Sequence, residues 1–261
     1  MRIRWLGWAG VEIDEQGERV VVDPLQDAVA VFAWLGERAA AMPRPEVIAP
    51  RDGALAGLVT HLHRDHADAA ALTAALSTDA SVYEPQGTGG SRAEQLAIAQ
   101  ADHELTAAGL TRRPTALWKS VTLGPFTLTA LPAVDGTGDP QVSWLIEAGD
   151  KRVLHLGDTM FHGWWWRVTE RFGPPTVVLA PINGARVSFP HRRPASPLGA
   201  VMDPDQAALA AELLQADQLV PIHYDGYALP GLYEPVPDAR EQLQARSNRV
   251  TMLELGESIE I

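Results

Sequence analysis

Residues 60–68, THLHRDHAD, place three histidines and two aspartates within nine positions of a chain that has eight histidines in all. Alternate side chains of an extended segment point the same way, so His61 and His63 can reach one ion together. Asp65 and His66 follow after the chain has begun to turn, so they face elsewhere and can serve a second ion nearby. A strand end running into a helix start is a rigid base for such groups, and metal ligands need rigidity. The competing reading is a polar loop with surface histidines. Four ligand-type residues directly after the apolar run LAGLVTH (55–61) weigh against it.

Outward from this segment, the chain alternates short strands and helices. Upstream, IRWLGW, GVEID and RVVVDP read as three strands separated by glycine and an acidic turn. Downstream, ADAAALTAALS (67–77) has helical character, with Leu72 and Leu76 four apart. SVYEP (81–85) reads as a strand, SRAEQLAIAQADHELTAAG (91–109) as a helix, and QGTGGS (86–91) as a connection that lacks the Lys-Ser/Thr ending of a phosphate loop. ALWKSVTLG, FTLTALPAV, VSWLIEAG and KRVLHLGD form a strand-rich middle. GWWWRVTERFG (163–173) is predicted helical, TVVLAPI (176–182) a buried strand, and DPDQAALAAELLQAD (203–217) a helix with Asp203 as N-cap and Pro204 at its first position. QLVPIHY is a strand, DAREQLQARS a helix, and VTMLEL and SIEI two closing strands. The Pro-rich stretch 186–198 is too short for a linker. The expected arrangement is one α/β domain over residues 1–261, two sheets with helices outside.

Composition limits the functions open to such a chain. Its 46 % hydrophobic and 21 % charged residues are those of an ordinary soluble protein. No apolar run is long enough for a membrane span, and the acidic residues Asp14, Glu15 and Glu18 break any secretory pattern, so a cytoplasmic location is expected. The absence of cysteine excludes thiolate ligands, cysteine nucleophiles and disulfides. A formal net charge of −12 disfavours nucleic acid, whose binding rests on Lys and Arg. It does not exclude a small anionic substrate, because dications and local arginines reverse the potential inside a cleft.

HLHRDH resembles the H-x-H-x-D-H signature of the metallo-β-lactamase superfamily. GWAGVEID followed by VVVDP resembles the opening strands of its subgroup of ascorbate-6-phosphate lactonases and phospholipase-D-like N-acylphosphatidylethanolamine hydrolases. HLGDT (155–159) looks like the strand that delivers the bridging aspartate, here Asp158, and PIHYDG (221–226) like the strand with the last histidine, here His223. The resemblance covers nearly the whole chain. It implies a four-layer αββα sandwich and two divalent cations, zinc first, with manganese or iron as alternatives. One position departs from the pattern. Relatives carry a third histidine in a P-A-x-H turn, whereas LPAVDG (131–136) puts Asp135 there, either as a ligand or as an Asp-Gly turn residue.

On this reading His61, His63, Asp135 and Asp158 hold one ion, and Asp65 or Asp158 with His66 and His223 the other. Two dications sharing a solvent molecule lower its pKa toward ~7, so hydroxide can attack an ester, lactone or phosphoester of a small molecule. Asp65, His162 and His191 are the candidates for proton transfer. His155 is expected to be structural and His103 to lie on the surface. Of Trp164, Trp165 and Trp166, at least one must pack in the core. Arg186, Arg192 and Arg193 could meet an anionic group. The rival functions are a diiron oxidoreductase and a metal-binding module made non-catalytic by the lost histidine.

Overall fold

A computed structural model of the chain describes residues 1–87, 92–190 and 192–261. The first sheet has seven strands, six of them in chain order, β1 (Arg2–Gly7), β2 (Gly10–Glu15), β3 (Glu18–Val22), β4 (Ala54–Leu58), β5 (Leu76–Pro85) and β6 (Thr111–Thr115). The second is built from β7 (Ser120–Leu123), β8 (Phe126–Pro132), β9 (Val142–Ala148), β10 (Lys151–His155), β11 (Val177–Pro181) and β13 (Gln218–Ile222). A two-residue ribbon joins β12 (Arg186–Val187) to β14 (Tyr233–Glu234), and β15 (Ser258–Glu260) returns to the edge of the first sheet beside β1. Each large sheet begins as an antiparallel meander and continues with parallel neighbours, β3–β4–β5–β6 in one and β10–β11–β13 in the other.

Strand periodicity decides which face each residue serves. Val20 and Val22 enter the central core with Val177 and Leu179, while Val21 and Val178 face outward under helices. Three apolar clusters result. The central one fills the space between the sheets and includes Trp8, Phe126 and Trp144. One outer cluster lies under α2 (Ala69–Ala75) and α3 (Arg92–Ala107). The other lies under α4 (Trp165–Phe172), α5 (Pro204–Leu213) and α6 (Ala239–Arg246). Three apolar interfaces between four layers are the expected αββα sandwich. A short four-residue α1 (Glu37–Ala40) follows a 3₁₀ segment at Ala30–Leu35, in a stretch the sequence left unassigned.

Local chemistry explains the helix starts. Asp203 accepts from the Gln206 amide while the Gln206 side chain returns to the Asp203 amide, the reciprocal cap that D-P-D-Q encodes. Asp68 caps α2 with one oxygen and takes the amides of Gln26 and Asp27 on the other, pinning the loop after β3 beside the histidine segment.

Two strand expectations are corrected. VTMLEL is not a strand: it meets β13 through a single bridge, Leu219 to Val250, before a turn. TRRPT was not expected and forms β6; its proline and arginines are tolerated because β6 is an edge strand with one free side. The QGTGGS connection lies largely outside the described residues, at 88–91. No helix among the described residues is long and apolar enough to cross a membrane.

Candidate metal centre

The site forms where strands end. Asp23 follows β3, His61 to His66 follow β4, Asp135 follows β8, Asp158 follows β10 and His223 follows β13. The ends of parallel strands in an α/β sheet open a crevice that loops can line, because neighbouring chains leave in opposite directions there. Here the two sheets are stitched together at that edge. The Val142 amide donates to Thr60 O (2.9 Å), His61 bridges Gln141, and Trp144 Nε1 donates to Val59 O (3.0 Å).

Two groups of donors result. Asp65, His66, Asp158 and His223 offer one ligand atom each, all within 4.8 Å of one another; His61, His63 and Asp135 do the same. His66 Nε2 lies 3.2 Å from Asp158 Oδ1, and His223 Nε2 lies 2.9 Å from Asp158 Oδ2. Asp65 Oδ2 is 3.5 Å from His66 Nε2 and 3.6 Å from His223 Nε2. Asp158 was expected to serve both ions; its ligand atom groups with the second set, and its charge also reaches His61. The structure therefore brings together all seven residues expected as ligands.

Residues behind the donors fix which atoms face inward. Asp23 Oδ2 accepts from His66 Nδ1 (2.8 Å) and from Thr60 Oγ1 (2.6 Å), while Thr60 Oγ1 also meets His61 Nδ1 at 3.0 Å. Both rings so held turn Nε2 toward the cluster with its lone pair free. His63 is held the other way round: Nε2 donates to Asp139 Oδ2 (2.8 Å), which leaves Nδ1 as its ligand atom. Trp8 Nε1 donates to Asp65 Oδ2 (2.9 Å), and the Trp8 ring lies 3.9 Å from that of His223. His223 itself has φ +56, with its amide donating to Trp8 O, so the chain reverses there to aim the imidazole inward. Gly157, at φ +62, precedes Asp158; a β-carbon there would come within 2.8 Å of Thr60 Cβ.

The residues present fit cations. His61 Nε2 and His223 Nδ1 are buried without a hydrogen-bond partner, and the buried Nε2 atoms of His66 and His223 have only the Asp158 and Asp65 carboxylates beside them. Imidazoles and carboxylates packed this closely away from solvent are expensive unless something positive holds them together. The protonation pattern of the bare protein says the same. Burial opposes charge on His66, yet Asp158, Asp65 and Asp23 hold its imidazole well above the ordinary value. Burial likewise opposes charge on Asp158, yet His223 and His66 keep its carboxyl well below the carboxylate range. For His63, burial is outweighed by the Asp139 hydrogen bond and nearby carboxylates, which carry it to about 9. Asp135 is pushed up by burial, with His63 partly offsetting. Clustered carboxylates thus retain protons on neighbouring imidazoles, and a cation displaces protons from such a set.

The remaining candidates separate. His162 lies in neither donor group; its ring stacks on Trp165 at 3.8 Å, and its Nδ1 accepts the Trp164 amide. Burial lowers it to about 4, which favours the neutral imidazole near neutral pH. His191 lies outside the described residues. His155 is structural as expected, bonded to Ala9 O at 2.9 Å, and His103 is exposed. Trp165 is buried while Trp164 and Trp166 are exposed. Arg186 pairs with Glu234, and Arg192 turns inward to Asp139 at 2.9 Å. Asp23, Thr60, Trp8 and Asp139 went unnoticed as supporting residues. Only Asp23 carried a usable signal, an acid closing the apolar run RVVVD.

Comparison with known proteins agrees with this geometry. The family model described as a beta-lactamase superfamily domain matches residues 18–224, which run from β3 to β13 and include every residue of the two donor groups. The chain belongs to the metallo-β-lactamase superfamily. Among similar proteins, a UPF0173 protein of Pyrococcus furiosus is 28 % identical, covering 87 % of this chain and 85 % of the relative. A UPF0173 metal-dependent hydrolase of Methanopyrus kandleri is 27 % identical over the full length of both. Among solved structures, the metallo hydrolase Igni18 of Ignicoccus hospitalis superposes with a TM-score of 0.62 at 19 % identity, covering 99 % of this chain and 97 % of the other, a likeness of fold.

Proposed function

We propose that this protein is a metal-dependent hydrolase of a small ester, lactone or phosphoester, with one divalent cation held by His61, His63 and Asp135 and a second by Asp65, His66, Asp158 and His223. The observation that carries the reading is the convergence of shielded imidazole and carboxylate donors from four separate strand ends. The metal-dependent hydrolases among full-length relatives support it, as do the opening strands, which resemble the lactonase and phospholipase-D-like subgroup. Four imidazoles and three carboxylates suit zinc first, with manganese or iron as alternatives favoured by the carboxylate in the smaller group. Since the Methanopyrus kandleri relative and others like it are named metal-dependent hydrolases, the diiron oxidoreductase is not carried forward.

When bound, two dications supply Lewis acidity, polarising the scissile carbonyl or phosphoryl oxygen and making water acidic enough to act as a nucleophile near neutral pH. The chain's own residues supply the order around that chemistry. Asp23 and Asp139 fix the tautomers of His66 and His63, so neither ring must reorient during turnover. We assign proton transfer to the Asp65 carboxylate, whose Oδ2, the oxygen nearest His66 and His223, also accepts from Trp8 Nε1. Trp8 also walls the site: packed on His223, it keeps bulk water from one flank and strengthens charge interactions inside.

The test is metal analysis of protein purified without chelator, joined to a panel of lactones, phosphodiesters and carboxylic esters. Two zinc or manganese ions per chain, hydrolysis of one panel class, its loss on chelation and its return on adding metal are expected. No bound divalent ion, and no hydrolysis after metal is restored, would overturn the proposal. Asp135→Ala should lower the metal content of the smaller group and cut turnover at least tenfold. Normal metal content in that variant would make Asp135 a turn residue only.

A further inference from the structure

The carboxylate of Asp139 is shielded from solvent and sits at the junction of three chain segments. Its Oδ2 meets His63 Nε2 at 2.8 Å, Arg192 Nη2 at 2.9 Å and Thr137 Oγ1 at 3.1 Å. The same short turn serves Asp135. Asp135 Oδ2 accepts the Thr137 amide (3.1 Å), the Thr137 hydroxyl (2.6 Å) and the Asp139 amide (2.9 Å). Thr137 has one hydroxyl proton and lies closer to Asp135, so the charge of Asp139 is met chiefly by His63 and Arg192. Arg192 comes from the Pro-rich stretch that follows β12, 53 residues away in the chain, and its amide is tied to Phe189 O at 3.0 Å. A buried carboxylate needs such a partner: without the guanidinium, Asp139 would face Thr137 oxygen and Asp135 with only one imidazole to balance it.

We propose that Asp139 is a positioning residue for His63 and that Arg192 completes it, so that seating of the Pro-rich segment and cation binding by His61, His63 and Asp135 are one coupled event. The inference rests on the functional reading above, in which His63 is a ligand. Through Asp139, His63 is kept as the Nε2–H tautomer with Nδ1 facing the cation; through Arg192, that arrangement depends on a segment whose described residues belong to neither donor group. Coupling of this kind is reciprocal. What the segment contributes to cation affinity, the cation returns as order in the segment.

The probe is Mn(II), titrated calorimetrically into metal-free full-length protein, with the phase belonging to the smaller group identified by its loss in His61→Ala. Asp139→Ala is expected to weaken that phase about 10- to 100-fold, the range typical for a partner behind a metal-bound histidine, and to leave the other phase within twofold. Asp139→Asn, which keeps an oxygen acceptor for His63, should restore part of the loss. Arg192→Gln should weaken the same phase to a lesser degree. It should also abolish the slowing of amide hydrogen exchange that Mn(II) produces around Arg192 in the native chain. Because Arg192 is partly exposed, its variant is expected to fold and decides the matter if Asp139→Ala does not. Unchanged affinity in Arg192→Gln, with exchange around residue 192 indifferent to Mn(II), would overturn the coupling while leaving the metal centre intact. Native protein that binds fewer than two Mn(II) would instead overturn the metal-centre reading itself.

Discussion

Thr60 occupies a junction that no ligand motif would single out. Its hydroxyl donates to Asp23 and meets His61 Nδ1, so one small side chain sets the protonation pattern behind both donor groups. Asp23→Ala should therefore cost about 10- to 100-fold in affinity of the larger group, read by competition with a chelator, because His66 Nδ1–H would lose its acceptor. His63 makes a pH prediction. Its folded value is raised to about 9 against an unfolded 6.5, so its contribution to stability is complete below pH 6.5 and disappears as pH rises through 9. His66 is shifted in the same direction. Metal-free protein should thus lose thermal stability between pH 6.5 and 9.5, and Asp139→Ala should flatten the His63 part of that slope. A midpoint independent of pH across this range would contradict the assignment. All seven donors could be read from the sequence because the residue types and their order survive in the letters. The residues behind them could not, since Asp23–His66, Asp139–His63 and Trp8–Asp65 pair across 43, 76 and 57 positions that only folding brings together.

Helix α2 illustrates how closely an element must seat for this site to form. It follows the histidine segment directly, and Leu72 rests on β4 where Gly57 leaves room: a β-carbon at 57 would lie 2.6 Å from Leu72 Cδ2. Gly57→Ala should cost about 1–3 kcal/mol through overpacking, and Leu72→Ala in the same chain should recover part of it, a non-additivity that urea unfolding can measure. Asp68→Ala should cost about 1–2 kcal/mol from lost capping alone, with more from the released amides of Gln26 and Asp27. Elements with strong local signals were legible: three opening strands, β8 to β11, and the D-P-D-Q cap of α5. The errors fell where a neighbour decides the conformation. VTMLEL has the composition of a strand, but only one bridge forms on β13; TRRPT has the composition of a loop, but the free edge beside β5 accepts it.

Taken whole, the molecule gathers its donors from both sheets. Asp23 and the 61–66 segment leave the first, whereas Asp135, Asp158 and His223 leave the second. Cations that tie the two sheets together should therefore stabilise the entire fold. A cation present at a hundred times its dissociation constant adds about 2.7 kcal/mol, which for a chain of this size is roughly 5–10 °C in Tm. Chelation should remove that increment reversibly, seen by calorimetry in matched buffers, whereas an unchanged midpoint would mean the fold does not depend on the ions. The sandwich itself was legible from the repeated succession of strands and helices and from the resemblance carried by HLHRDH, HLGDT and PIHYDG. What stayed hidden was the stitching of the sheets through Thr60, His61 and Trp144. The most direct test of the central claim is an anomalous-scattering map from crystals grown with zinc or manganese, recorded at the edge of the metal. The account predicts two peaks, one among His61, His63 and Asp135 and one among Asp65, His66, Asp158 and His223; a map without density at either position would contradict it.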